Sequence, residues 1–162
     1  MKKVLMYTRF ERFWHWAQAL LIFFLALTGF EVHGSFSLFG YQNSVVWHMY
    51  AGVALVILFA FAIFWHFTTR AWRAYIPTSE GLIEQMLYYG MGIFKHEPHP
   101  YHKTVEKKHN PLQRLSYLGF QMGMLPVMIV TGIIYIFVAD GTIVMESAKW
   151  LSIIHTLMAF VI

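Results

Sequence analysis

Four apolar runs organise the chain. Phe13 to Val32 is interrupted only by Glu31 near its end, and Val45 to Phe67 has no formal charge. Leu115 to Ala139 is also uncharged but contains Pro126. A helix needs about 20 apolar residues to cross roughly 30 Å of hydrocarbon, so each of these runs predicts a membrane span. Pro126 predicts a kink in the third, which a bundle tolerates. The fourth run, Trp150 to Ile162, is shorter, because thirteen helical residues rise only about 20 Å. A helix end in lipid leaves carbonyls unsatisfied. The expectation is therefore a fourth span cut short at the C-terminus, with a re-entrant or interfacial helix as the alternative. The predicted fold is all-α: one membrane four-helix bundle over 1–162, with spans near 13–32, 45–67, 115–139 and 150–162.

Composition agrees with this solvent. Hydrophobic residues make up 58% of the chain and charged residues 12%, against roughly 25% charge in soluble domains. Cysteine is absent, which excludes disulfides, thiolate metal sites and covalent c-type haem attachment. The net charge of +4 points to no nucleic-acid partner, because the basic residues flank the apolar runs. Lys2, Lys3, Arg9 and Arg12 precede the first span, and seven more lysines and arginines lie between the second and third. The positive-inside rule then puts the N-terminus and the 68–114 loop in the cytoplasm, with Ser35–Phe39 and Asp140–Glu146 outside. The chain is then expected to cross a membrane several times, with lipid as a partner.

In the long loop, residues 79–94 read as an amphipathic surface helix capped by Ser79 or Thr78, with Leu82, Ile83, Met86 and Leu87 on its apolar face. His96, His99 and His102 in KHEPHPYHK suggest a metal site by spacing. Pro98 and Pro100 break any helix that would align them, so a solvated loop is the default. There is also an internal echo. Glu11-Arg12 and Thr28-Gly29 bracket the first span much as Gln113-Arg114 and Thr131-Gly132 bracket the third, with spacing that differs by one residue.

The intramembrane histidines carry the chemistry. A buried imidazole with an unsatisfied nitrogen is costly in lipid, so such residues are usually functional. His48 and His155 fall at the same outer depth on different helices, as bis-histidine ligation of a haem requires. Gly52 and Ala159 follow them by four residues, where a flat ring needs clearance; small residues elsewhere in lipid read as close helix packing, but beside histidine haem clearance is the better account. His15 lies at the inner end of span one. His66, about 27 Å along its helix from His48, is expected almost in the headgroups. A better partner for His15 is expected about 14 residues after His155, near position 169 and beyond Ile162.

Together the motifs RFxRFWHW…TG in span one, WHxxxG in span two, NPLQRL before span three and the histidine of span four resemble the four-helix b-type cytochromes. These are the membrane subunits of nickel-iron hydrogenases, formate dehydrogenases (gamma subunit) and thiosulfate reductases. YTRFERFWHWAQALLIFFLALTGFEVHG and FWHFTTRAWRAYIPT look closest to the thiosulfate-reductase branch. The resemblance covers essentially the whole chain. It implies two haem b groups, with His48 and His155 as iron ligands of the outer one and His15 as a ligand of the inner. It also implies a quinone site, for menaquinone or ubiquinone, beside the inner haem at Asn110 and Gln113. The local sequence equally reads Asn110-Pro111 as a helix cap. His66 departs from the pattern, and is an interfacial group, a proton relay on the quinone side or a substitute ligand.

The expected function is electron transfer between a quinone pool and a peripheral redox subunit carrying iron-sulfur, molybdenum or multihaem cytochrome c centres. The chain is thus expected to be the membrane subunit of an oxidoreductase rather than a stand-alone enzyme. A rival is a small transporter whose histidines relay protons or bind a metal ion. It calls for intramembrane carboxylates and broken helices, and spans two and three carry no carboxylate. A third reading, a structural anchor with incidental histidines, is disfavoured by their agreement in depth.

Overall fold

The computed structural model describes residues 5–104, 107–139, 141–143 and 145–162. Lys2 and Lys3 of the charge argument, and Asp140 of the outer connection, lie outside the described residues. Those described are helical or in connecting turns. α1 (Arg9–Val32) and α2 (Tyr41–Thr69) form one hairpin. α5 (Leu125–Ala139) and α6 (Met145–Val161) form the second. A thinner contact between α2 and α5 joins them, and Phe30 of α1 meets Phe160 of α6 at 5.5 Å.

Packing is that of a protein in lipid. Leu20, Phe23, Ile57, Phe64, Val130 and Phe160 are exposed, while the interior holds Ala51, Ala62 and the polar Thr28, Ser44 and Thr131. With no water to drive apolar side chains inward, small and hydrogen-bonding residues occupy helix contacts instead. Three helices are long and apolar enough to cross a membrane: Arg9–Val32, Tyr41–Thr69 and Pro111–Ala139. Lys149–Val161 is apolar but shorter. The chain is an integral membrane helical bundle.

The helix ends follow local chemistry. Thr8 caps α1 through a reciprocal capping box, its Oγ1 accepting from the Glu11 N–H at 3.2 Å while the Glu11 carboxylate accepts from the Thr8 N–H at 2.6 Å. Asn110 and Gln113 make the same box at the head of α4 (Pro111–Gly119), with Pro111 at the first turn. At the far end of α1, Glu31 is buried and accepts from the backbone N–H groups of Leu38, Phe39 and Gly40. That bond set explains a carboxylate at the end of a span: it closes the turn into α2.

Two expectations change. The kink expected at Pro126 is a π-turn over Phe120–Met124, joining α4 to α5 in one continuous helix. Proline has no N–H to offer and its ring crowds the carbonyl four residues back, so the preceding turn widens. The loop helix α3 (Leu82–Gly90) is shorter than 79–94, with a 3-10 turn at Gly92–Lys95 continuing it. Its cap is Gly81, held at φ +72, rather than Ser79 or Thr78. The Thr78 hydroxyl accepts from the Glu80 N–H outside the helix, and the left-handed φ at Gly81 sets the start. Ile83, Met86, Leu87 and Phe94 stay exposed, as an interfacial helix needs.

Candidate functional site

α2 and α6 bring His48 and His155 together, ring centroids 6.3 Å apart with the ring planes steeply inclined at 65°. Each ring is held from behind by the neighbouring helix of its own hairpin. Thr28 Oγ1 lies 3.0 Å from His48 Nδ1, and Thr131 Oγ1 lies 2.7 Å from His155 Nδ1. Each threonine has one hydroxyl proton, donated along its own helix: Thr28 to the Phe24 carbonyl at 2.8 Å, Thr131 to the Val127 carbonyl at 2.7 Å. The hydroxyl oxygen is then the acceptor and each imidazole donates from Nδ1. That tautomer leaves the Nε2 lone pair of both rings free for a metal, the arrangement by which outer-shell partners orient metal-binding histidines.

The glycine after each threonine makes the approach possible. A Cβ at Gly29 would stand 3.3 Å from His48 Cε1, and one at Gly132 would stand 3.5 Å from His155 Cε1. On the clearance side, a Cβ at Gly52 would meet nothing within 4 Å, and Ala159 is exposed.

The remaining predicted positions separate from this pair. His15 is exposed on α1, its ring against Trp16. His66 lies in the last turn of α2 and is buried against protein, because the 3-10 turn at Ala71–Tyr75 packs over that end. Its Nδ1 donates to the Ala62 carbonyl at 2.7 Å, and Trp14, Trp65 and Tyr75 enclose it at 5.0, 5.1 and 5.2 Å. The amide oxygens of Asn110 and Gln113 are both engaged in the capping box. No group of three or more metal-ligating side chains occurs among the described residues. In the loop, His99 is bound by Gln85 and the Tyr101 backbone, while His96 caps the 3-10 turn at φ +56.

Sequence reasoning missed His109. It is 5% exposed, packed at 4.8 to 6.2 Å from the rings of Tyr75, Tyr117 and Tyr7. Burial brings its pKa down to about 4, with Lys103, Lys108 and Arg114 adding to the effect and Glu11 opposing it. Burial also pushes the Tyr7 and Tyr75 phenols up. Across this cluster Lys108 donates to Glu11 at 2.8 Å, tying the loop to the head of α1. The available sequence signal was KKHNP, a histidine against a helix cap.

The donor set can be tested against a haem. Two metal–imidazole bonds of about 2 Å, plus roughly 1 Å from each nitrogen to its ring centre, require about 6 Å between centroids. The 6.3 Å of His48 and His155 meets this, and both rings expose the same nitrogen. The residues fit. A membrane bundle with two closely paired, threonine-anchored imidazoles has the architecture of a membrane haem protein.

Comparison with known proteins gives the family. Residues 6–162 match the family described as prokaryotic cytochrome b561, and the chain belongs to it. It is a membrane b-type cytochrome, a family whose implied cofactor is haem b. The chain is 29% identical over 168 residues to the Escherichia coli (strain K12) protein named "Putative cytochrome YdhU". That match covers 99% of this chain and 64% of the relative's length. No solved structure matches it.

Proposed function

We propose that this chain is the electron-carrying membrane subunit of a quinone-linked oxidoreductase, and that His48 and His155 are the axial ligands of one of its two haem b groups. The carrying observation is the 6.3 Å imidazole pair with both Nδ1 atoms anchored by threonine. When bound, the haem supplies reversible one-electron storage at its iron. The protein's part is to fix the ligand tautomer through Thr28 and Thr131, leave clearance at Gly52 and Ala159, and keep the pair within an apolar bundle. His15 is proposed as a ligand of the second haem, on the long-loop side.

A membrane quinone, menaquinone or ubiquinone, is the proposed mobile partner on that side, and an iron-sulfur, molybdenum or multihaem cytochrome c subunit the peripheral one. The membrane is proposed to be the bacterial inner membrane, with the basic loop in the cytoplasm. Asn110 and Gln113 can offer a quinone their side-chain amide N–H groups, which the capping box does not use. His66 is assigned to protons rather than to iron, because three aromatic rings close around it.

The test is purification from membranes followed by haem extraction and quinol titration. The expected protein is red, with b-type absorption, two haems per chain and reduction by a quinol. A colourless full-length preparation contradicts the proposal.

A further inference from the structure

Six buried side-chain nitrogen and oxygen atoms among the described residues have no hydrogen-bond partner, and five of them lie in one region. They are Trp14 Nε1, His66 Nε2, both ring nitrogens of His109 and Gln85 Oε1. The groups are contiguous: Trp14 to His66 at 5.0 Å, His66 to Tyr75 at 5.2 Å, Tyr75 to His109 at 4.8 Å. His109 and Gln85 also line a cavity of about 310 Å³ under α3, together with Glu80, Glu84, Lys107 and Arg114.

Buried polar groups in native proteins are nearly always partnered, and internal water is the partner where protein atoms are missing. At roughly 30 Å³ per molecule, this cavity has room for about ten waters. Its lining mixes two carboxylates with two cations, which suits water better than an ion of either sign. Arg114 is already engaged, donating to the carbonyls of His109 and Ile76.

We propose that the cavity is a water-filled vestibule that admits protons from the long-loop side, that His109 passes them inward beside Tyr75, and that His66 Nε2 receives them. His109 suits a through-carrier because both its nitrogens are free of protein partners: one accepts a proton from vestibule water while the other releases its own to water beside Tyr75. His66 suits a terminal acceptor. Its Nδ1–H stays on the Ala62 carbonyl, so Nε2 both takes and returns the proton. For each transfer one proton leaves the aqueous phase and one arrives at His66. The charged groups facing His109 are Lys103, Lys108, Arg114 and Glu11, with the phenols of Tyr7, Tyr75 and Tyr117. Among the described residues, Trp14, Trp65 and Tyr75 are in ring contact with His66.

The occasion for proton uptake rests on the electron-transfer reading above: an electron entering the bundle draws a compensating proton. The water itself does not depend on that reading, so two measurements separate the claims. Hydroxyl-radical labelling of the full chain in its membrane, with each rate taken relative to the intrinsic reactivity of that side chain, should oxidise buried Trp14 and His109 about as fast as loop-exposed Trp72, while buried Leu125 stays protected. Protection of Trp14 and His109 equal to that of Leu125 overturns the vestibule. Proton uptake on haem reduction, followed with a pH dye in the haem-loaded protein, should fall by about half or more in His66→Gln and slow at least about tenfold in His109→Phe. Uptake of unchanged extent and rate in both variants overturns the relay. Protein without haem overturns the parent reading, and the labelling still decides the vestibule.

Discussion

Thr28 commits its only proton to the Phe24 carbonyl, so its oxygen can do nothing for His48 except accept. Thr28→Val keeps the shape and removes that acceptor, which frees the ring to rotate and change tautomer. The expected loss is about ten- to a hundredfold in haem affinity, read by haem titration of the apoprotein. The adjacent glycines are expected to differ. At Gly29 a Cβ is crowded to 3.3 Å against a ring already fixed by Thr28 and faced by His155, whereas at Gly132 the distance of 3.5 Å is ordinary contact. Gly29→Ala should cost about tenfold in affinity and Gly132→Ala no more than about twofold. His109 makes a pH prediction. Its folded pKa of about 4 lies below the ordinary 6.5, so between these values the unfolded chain binds a proton that the folded chain refuses. Stability is fully present above about 6.5 and falls as the pH drops towards 4. Thermal unfolding across that window should show the decline, and His109→Gln should flatten it.

At the scale of elements, the two hairpins repeat one plan. Each first helix starts with a capping box, at Thr8 and at Asn110, and each carries a threonine-glycine pair against the histidine of the next helix. Thr28 follows its cap by 20 residues and Thr131 by 21. The extra residue sits in the π-turn at Phe120–Met124, which accommodates one more residue than an α-turn and so keeps Thr131 in phase with His155. The echo was legible in the sequence, but its one-residue mismatch made it look imperfect, because a linear spacing cannot show a local change of helical pitch. Deleting Met122, exposed within that turn, should restore α geometry and leave haem binding near normal. Deleting Leu20, equally exposed in the regular α1, should swing Thr28 by about 100° and release His48. Haem content of the two purified deletions decides this.

For the whole molecule, hydropathy located the long helices because it reports the solvent, and lipid leaves a simple signature. The pairing of His48 with His155 was legible from depth alone. Other features were not. The protein cover over His66 was not legible, because the chain packing over it, from Ala71 to Tyr75, leaves no periodic signal. His109 is buried by the loop rather than by a span, and nothing in KKHNP reports that three tyrosines close around it. Asn110 and Gln113 carry a cap that the sequence announced, beside the quinone role that the family resemblance suggested.

The central claim is that His48 and His155 hold the same iron, and haem stoichiometry across His48→Ala, His155→Ala and the double variant tests it. Each single variant is expected to lose one haem per chain, and the double variant to lose no more than either alone, since one bis-imidazole site is emptied once. Loss of two haems in the double variant where each single loses one, or retention of full haem in both singles, would contradict a shared site.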